Sequence, residues 1–195
     1  MERWLPVNCS AKIKKFLASS NYKKLQDEKK AVGQKFSIHS ELVGDGELAL
    51  ESVAASICRR FVVNLGVLSC PLAEAIELHL QCLKEMPPGP FAIISGGECP
   101  VTITAKKPGK GGRNTHFTLT LAEKIFYKNI FGLSPQELES CWIASLATDG
   151  RDGNCPCAGA CFNAKMLNTI MPQQYLENFD SYTFFQKMAP AHNSL

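Results

Sequence analysis

The sequence predicts an α/β fold, in which a three-layer-like domain with a mixed sheet follows a mostly helical segment. Short apolar runs bounded by turn residues predict buried strands at 91–95, 101–105 and 142–147. Segments with helical apolar spacing alternate with these runs at about 114–130 and 158–170. The run Pro87-Pro88-Gly89-Pro90 fits neither a helix nor an internal strand, so it predicts a boundary before the strands begin.

Before that boundary the residues mostly indicate helices. Apolar side chains at helical spacing predict helices at 9–30 and 47–65. Residues 35–43 alternate apolar and polar side chains as a strand does, and the glycines around Asp45 end that pattern. Pro71 opens a further helix that runs to Met86, and its apolar face is formed by Leu72, Ala75, Ile76 and Leu80.

Two more helices are predicted after the boundary. Ser134 suits an N-cap and Pro135 suits the first helical position, with acidic residues in the first turn. A short helix is predicted at 181–188. Ligands of open α/β sheets gather where strands end. In this scheme, glycine-bearing loops follow the strands at 96–98, 109–114 and 148–153.

The composition is ordinary for a globular protein, with 45% hydrophobic residues, 20% charged residues and a net charge of +3. This charge is too small to favour nucleic acid, and no apolar run reaches the length of a membrane span. Neither kind of partner is therefore predicted. The first segment, 1–34, is basic and is interpreted as a solvated, partly helical arm, with weak targeting or anionic-surface binding as the alternative.

The nine cysteines do not suit a disulfide framework, because their number is odd and the N-terminal residues lack the apolar part of a secretory signal. A reducing compartment is predicted, the cytoplasm first and mitochondria as the alternative. Cys155, Cys157 and Cys161 are close in sequence but lack the fourth ligand of a closed zinc site. They are interpreted as buried, inert thiols, and the ligands of any metal stay unknown.

The most informative segment is the loop at 109–114. Two glycines, Gly111 and Gly112, precede Arg113 and the start of a predicted helix. Backbone N–H groups at a helix start attract anions, and an arginine offers a planar fork of donors to phosphate oxygens. The loop therefore predicts phosphate binding, and a solvated basic turn is the alternative. Further cations lie nearby at Lys106, Lys107 and Lys110.

Two other loops carry polar residues where strands end. In Gly96-Gly97-Glu98, the glycines let a ligand approach the backbone and Glu98 supplies a polar contact. A tight turn is the alternative. The second loop contains Thr148, Asp149 and Asp152, and its two carboxylates suit a metal ion or a substrate hydroxyl. An ordinary Asp-Gly turn is the alternative there.

These motifs occur in an order that resembles a known family. In chain order they are Ser95-Gly96-Gly97-Glu98 with Val101-Thr102, then Gly109 with Gly111-Gly112-Arg113-Asn114, then Thr148-Asp149-Gly150-x-Asp152-Gly153 with Ala158-Gly159-Ala160, then Asp180-Ser181-Tyr182-x-Phe184-Phe185. From about residue 90 to 195 the chain resembles the MOFRL domain, the C-terminal domain of class II glycerate kinases, without its last strand. Residues 35–89 resemble the end of the larger N-terminal kinase domain, and residues 1–34 match nothing in the family.

The resemblance implies ATP-dependent phosphorylation of D-glycerate, with ATP and Mg²⁺ as cofactors and ATP and D-glycerate as small-molecule partners. A homo-oligomer is left open. It implies an active site between two α/β domains, in which Arg113 is the catalytic residue. The substrate- and phosphate-binding residues are then expected to be Gly96, Gly97, Glu98, Gly111, Gly112, Asn114, Thr148, Asp149 and Asp152.

The chain also departs from the family pattern. Thr115-His116 stand where the family has Gln-Glu, Asn154-Cys155-Pro156 stand where it has Pro-Thr-Asp or Pro-Thr-Glu, and Phe179 stands in place of Asn. Most of the N-terminal domain is not represented. The chain is therefore expected to be a fragment or shortened form of a glycerate kinase that is inactive alone.

Two alternative functions stay open. The first is a non-catalytic MOFRL-like module that binds an anion or a partner. The second is a hydroxypyruvate reductase, a name once used for similar bacterial proteins. Against it, the sequence lacks a Gly-x-Gly-x-x-Gly motif after a strand with an acidic residue about 20 positions on.

Overall fold

The computed structural model describes residues 45–57 and 61–188. Its α-helices are α1 (Gly46–Ser56), α2 (Leu72–Glu85), α3 (Arg113–Ala122), α4 (Pro135–Ser140), α5 (Gln173–Glu177) and α6 (Ser181–Met188). Its strands are β1 (Phe61–Leu68), β2 (Phe91–Gly97), β3 (Trp142–Leu146) and β4 (Gly159–Asn163). A π-helical turn at Glu123–Tyr127 extends α3. The basic arm at 1–34, the helix expected at 9–30 and the strand expected at 35–43 lie outside the described residues.

Strands β1 and β2 form a parallel pair, in which Phe61 lies opposite Phe91 and Leu68 opposite Gly97. Parallel strands need a crossover connection, and α2 lies in this one. The helix begins directly after Pro71, as predicted, and the predicted apolar face is buried at Leu72, Ala75, Ile76 and Leu80. The boundary placed at residues 87–90 falls within this crossover and stays a prediction.

Strands β3 and β4 form an antiparallel pair, in which Trp142 lies opposite Asn163. Helix α3 packs on this pair, and the Thr118 hydroxyl donates to the carbonyl of Ala160 at 3.2 Å. The core here contains Leu119, Phe126, Phe162 and Phe184. Helices thus pack with small parallel and antiparallel sheets, which confirms the α/β class.

Every helix within the described ranges is too short or too polar to cross a lipid bilayer.

The helix predicted at 47–65 is only partly correct. Helix α1 ends at Ser56, and residues 61–68 form strand β1 instead. This segment contains three valines, and β-branched side chains favour a strand. Its hydrogen-bonding partner, β2, comes about 30 residues later, so the local spacing of apolar residues cannot reveal this pairing.

Two further element predictions are wrong. Residues 158–170 form β4 and a 3-10 turn at Ala164–Met166 rather than a helix, because pairing with β3 overrides an apolar pattern that fits either structure. Residues 101–105 form no strand. Val101 packs against the core while Ile103 is exposed.

The start of α4 follows the prediction. The Ser134 hydroxyl accepts a hydrogen bond from the N–H of Glu137 at 3.3 Å, and the Glu137 carboxylate accepts one from the N–H of Ser134 at 2.8 Å. This reciprocal pair is a capping box, with Pro135 at the first helical position.

His79 on α2 ties that helix to strand β2. Its Nδ1 lies 2.7 Å from the carbonyl oxygen of Ala75, and its Nε2 lies 3.0 Å from the hydroxyl of Ser95. A carbonyl only accepts, so we place the proton on Nδ1 and let Nε2 accept from Ser95. The ring packs edge-on against Phe117 with centroids 5.0 Å apart. Burial lowers the pKa of His79 below its ordinary value, which favours the neutral ring in the folded protein.

We expect the free energy of unfolding to fall as the pH drops below about 6.5. Burial lowers the pKa values of both His79 and His116, whereas both regain the ordinary value of 6.5 when the chain unfolds. Below that pH the unfolded state binds more protons, so the stability that is complete above 6.5 is lost on acidification. Urea denaturation between about pH 5 and 7.5 measures this slope.

A matched variant checks the origin of the slope. His116 stacks on Phe179 with ring centroids 5.1 Å apart, and its Nδ1 is buried without a hydrogen-bond partner in the described residues. His116→Phe keeps the stacking and removes one of the two titrating rings, so it is expected to reduce the slope of the pH dependence and to leave the contribution of His79. A free energy of unfolding that does not change over this pH range contradicts the argument.

Candidate functional site

The structure brings together two predicted site residues from separate loops. Arg113, the first residue of α3, forms an ion pair with Glu98, which follows β2, and the distance from Nη2 to Oε1 is 2.9 Å. The Arg113 side chain is 38% exposed and that of Glu98 is 81% exposed. A partly exposed guanidinium that donates once to Glu98 keeps further N–H donors for an anion.

The carboxylate of Asp152 caps the N-terminus of α3. Its Oδ1 accepts from the backbone N–H of Asn114 at 2.9 Å and from the Asn114 side-chain amide at 3.1 Å. Its Oδ2 accepts from the N–H and the hydroxyl of Thr115, both at 2.8 Å. Asp152 is only 1% exposed. Unpaired N–H groups at a helix start attract an anion, and here the chain supplies that anion itself.

The backbone of the glycine loop is also bonded within the protein. The N–H of Gly111 donates to the Asn154 side chain at 2.8 Å, and the N–H of Gly112 donates to the Thr115 hydroxyl at 3.0 Å. A Cβ at position 112 would overlap the Asp152 carboxylate, so glycine is needed there for close approach. The geometry therefore gives these glycines a structural role, and phosphate binding by their N–H groups stays a prediction.

Asn114 links the loop to the antiparallel sheet. While its amide donates to Asp152, its Oδ1 accepts from the hydroxyl of Ser145 on β3 at 2.7 Å. Both ends of the side chain are therefore used within the protein, which holds the first turn of α3 in place.

Sequence reasoning missed three side chains that hold this loop. The Asp180 carboxylate accepts from the N–H of Lys110 at 2.7 Å, and the Ser181 hydroxyl donates to that of Thr115 at 2.9 Å. Asn154 is the third, through its bond to Gly111. Asp180 and Ser181 precede and begin α6, so the polar pair at a helix start was a usable signal.

Gly96 and Gly97 lie at the end of β2, where the parallel strands approach closely. A Cβ at Gly96 would touch Leu50 of α1 at 3.4 Å. Gly97 has φ +110 and faces the backbone of Leu68, so a side chain there would be both strained and blocked. Packing therefore explains Gly97, whereas a Cβ at Gly96 would make only an ordinary van der Waals contact, and the contact of either glycine with a ligand stays a prediction.

The first part of the aspartate motif lies apart from these contacts. Thr148 and Asp149 are exposed, and Asp149 accepts from the N–H of Arg151 at 3.0 Å. Among the described residues no hydrogen bond or ion pair joins either residue to the loop that carries Arg113. The two aspartates of the motif therefore have separate environments.

The three clustered cysteines differ in exposure. Cys155 is buried, Cys157 is half-buried and Cys161 is exposed on β4. The expectation of buried thiols is therefore correct for Cys155 and wrong for Cys161. Residue 161 lies on the outward side of a two-stranded sheet, opposite exposed Ala144, because 158–170 is not a helix.

Comparison with known proteins identifies the family. The MOFRL family matches residues 91–193, which is just over half of the chain. A D-glycerate 2-kinase of Thermotoga maritima is 27% identical over 172 residues, covering 86% of this chain and 35% of the relative. A protein of Agrobacterium vitis that is named as a hydroxypyruvate reductase is 30% identical over 164 residues, covering 74% of this chain and 34% of the relative. The crystal structure of a Thermotoga maritima glycerate kinase superposes with a TM-score of 0.55 at 26% identity, covering 76% of this chain and 36% of that structure.

The chain belongs to the MOFRL family and carries the MOFRL domain of class II glycerate kinases. It spans about a third of the length of these three relatives.

Proposed function

We propose that this chain supplies one side of the active site of a glycerate kinase, which transfers the γ-phosphoryl group of ATP to D-glycerate. The ion pair of Arg113 with Glu98 is the observation that supports this proposal. It places a partly exposed guanidinium at the first turn of α3, within a loop that also carries exposed cations at Lys106, Lys107 and Lys110. The relatives named as glycerate kinases support the choice of substrate.

Arg113 is the residue to which we assign the chemistry. During phosphoryl transfer, negative charge spreads over the oxygens of the transferred group. A guanidinium that contacts these oxygens stabilises the transition state more than the ground state, which raises kcat. Glu98 orients the guanidinium before the substrate arrives. Because the N–H groups of Gly111 and Gly112 are already bonded, we assign the phosphate contacts to side chains rather than to these glycines.

A resident Mg²⁺ at Asp149 and Asp152 does not fit the geometry. Both oxygens of Asp152 already accept two hydrogen bonds each from the protein. In the described part of the chain, no group of three or more His, Cys, Asp or Glu side chains could hold a metal ion. We therefore treat Mg²⁺ as part of the ATP substrate, because it commonly binds through phosphate oxygens and water, and assign no step to it.

Two observations leave other functions open. Asp152 already occupies the anion position at the N-terminus of α3, and this arrangement suits a non-catalytic module as well as an enzyme. The name of the Agrobacterium vitis relative keeps hydroxypyruvate reduction as the second alternative.

A chimera separates these functions. In it, this chain replaces the matched segment of the Thermotoga maritima D-glycerate 2-kinase. We expect ADP release that requires D-glycerate, ATP and Mg²⁺, and no consumption of NADH or NADPH with hydroxypyruvate. The chain assayed by itself is expected to show no turnover, because phosphoryl transfer requires both reactants to be positioned in one closed site.

The melting temperature of the chimera is the control for folding. A chimera that melts cooperatively but releases no ADP supports the non-catalytic module. Consumption of NADH or NADPH by the chain supports the reductase. ADP release by the chain alone, at about 1 s⁻¹ or faster, would show that catalysis does not require residues from a second domain.

A further inference from the structure

Two cysteines lie against each other beside the site. The sulfur atoms of Cys155 and Cys157 are 3.4 Å apart, with Pro156 between the two residues in sequence. Cys155 is 1% exposed, whereas Cys157 is half-buried. A disulfide bond is about 2.05 Å long, so a modest shift of either side chain would join them.

We propose that Cys155 and Cys157 form a modification site that a hydroperoxide oxidises to a disulfide. The Cys157 thiolate attacks one peroxide oxygen, the O–O bond breaks, and the products are a sulfenic acid on Cys157 and an alcohol or water. The sulfur of Cys155 then attacks the sulfur of Cys157, and the hydroxyl leaves with the thiol proton of Cys155 as water. With hydrogen peroxide, two thiols and one peroxide give one disulfide and two waters.

Exposure sets the order of these steps. Cys157 is the thiol that solvent reaches, so it meets the peroxide first. Cys155 is buried and donates its S–H to the carbonyl of Asp152 at 2.7 Å. Burial, followed by the bond to Cys157, raises the pKa of Cys155 to about 12, which leaves it unreactive toward peroxide in solution. Its place against the sulfur of Cys157 makes it the resolving thiol.

The pair is connected to the start of α3 through Asp152. The N–H of Asp152 donates to the carbonyl of Cys157 at 2.7 Å, and the N–H of Cys155 donates to the carbonyl of Asp152 at 3.3 Å. Disulfide formation removes the S–H donor of Cys155 and draws the two ends of this turn together. The carboxylate that caps Asn114 and Thr115 belongs to the same turn, so oxidation is expected to loosen that cap.

The experiment treats the full chain with hydrogen peroxide under native conditions, alkylates the remaining thiols and maps the peptides by mass spectrometry. The expected product is a peptide that links Cys155 to Cys157, is lighter by two hydrogens and is reverted by dithiothreitol. Cys157→Ser is expected to abolish it. Cys155→Ser is expected to leave a sulfenic acid on Cys157 that dimedone captures. Cys161→Ser, which changes an exposed cysteine nearby, is the matched control and is expected to keep the link.

A second measurement follows the cap that the Asp152 carboxylate makes on α3. Hydrogen exchange of the Asn114 and Thr115 amides is expected to speed up by about tenfold on oxidation and to recover on reduction. The proposal is overturned by a link that forms only in denaturant, by a first disulfide between other cysteines such as Cys70 and Cys99, or by dimedone capture at Cys161 with Cys157 unmodified.

Discussion

Replacement of Arg113 by alanine is expected to lower kcat for D-glycerate phosphorylation by about 10²–10³-fold in the chimera, with a much smaller change in KM. Arg113 begins α3 and its Nη2 lies 2.9 Å from the carboxylate of Glu98, so its charge lies at the helix start where we place the transferred phosphoryl group. An interaction that strengthens only in the transition state appears in kcat rather than in KM. Steady-state ADP release at saturating ATP and varied D-glycerate measures both constants.

Two further variants test this assignment. Lys110→Ala removes an exposed cation from the same loop and is expected to change kcat only a few-fold, because its side chain is not fixed by an ion pair in the described residues. Arg113→Lys keeps the charge but loses the planar fork, so it is expected to recover only part of the rate. If Arg113→Ala raised KM and left kcat unchanged, Arg113 would bind the substrate in the ground state without stabilising the transition state.

Replacement of Asp152 by alanine is expected to lower the free energy of unfolding by about 3 kcal/mol. The residue is 1% exposed, and its carboxylate accepts four hydrogen bonds from Asn114 and Thr115. Without it, two backbone N–H groups at the start of α3 and two side chains lose their acceptor. Urea denaturation of the full chain at pH 7 measures the change.

Asp149→Ala is the matched control, because it removes the other carboxylate of the same motif. Asp149 is exposed and accepts from the N–H of Arg151. Its loss is expected to change the free energy of unfolding by no more than about 0.5 kcal/mol. Equal effects of the two substitutions would contradict the assignment of the helix cap to Asp152.

The parts of the fold that follow from local chemistry could be predicted from the sequence. Pro71 and the apolar face after it define α2, and the pairing of Ser134 with Glu137 defines α4. The strand at β1 could not be predicted in this way, because its valines gain their hydrogen-bonding partners from β2 far along the chain. The same reason explains β4, which depends on β3.

In the candidate site, too, local features could be predicted from the sequence and long-range contacts could not. The start of a helix at Arg113 follows from local pattern, as does the glycine turn before it. The bond from Asn114 to Asp152 joins residues 38 positions apart, so spacing along the chain does not reveal which anion fills the helix start. Both aspartates of one short motif were assigned to a ligand, and burial of only one of them is a property of the folded chain.

The pairing of β1 with β2 bears on how this family is divided into modules. The family match begins at residue 91, at the first residue of β2, yet that strand is bonded along its length to one that lies before the match. The matched family domain therefore does not contain the whole of this parallel pair, which begins at Phe61. A polypeptide cut at residue 90 would keep every motif residue of the site and lose β1, whose Leu68 carbonyl accepts a hydrogen bond from the N–H of Glu98, so the edge of the family match is not the edge of the sheet that supports the site.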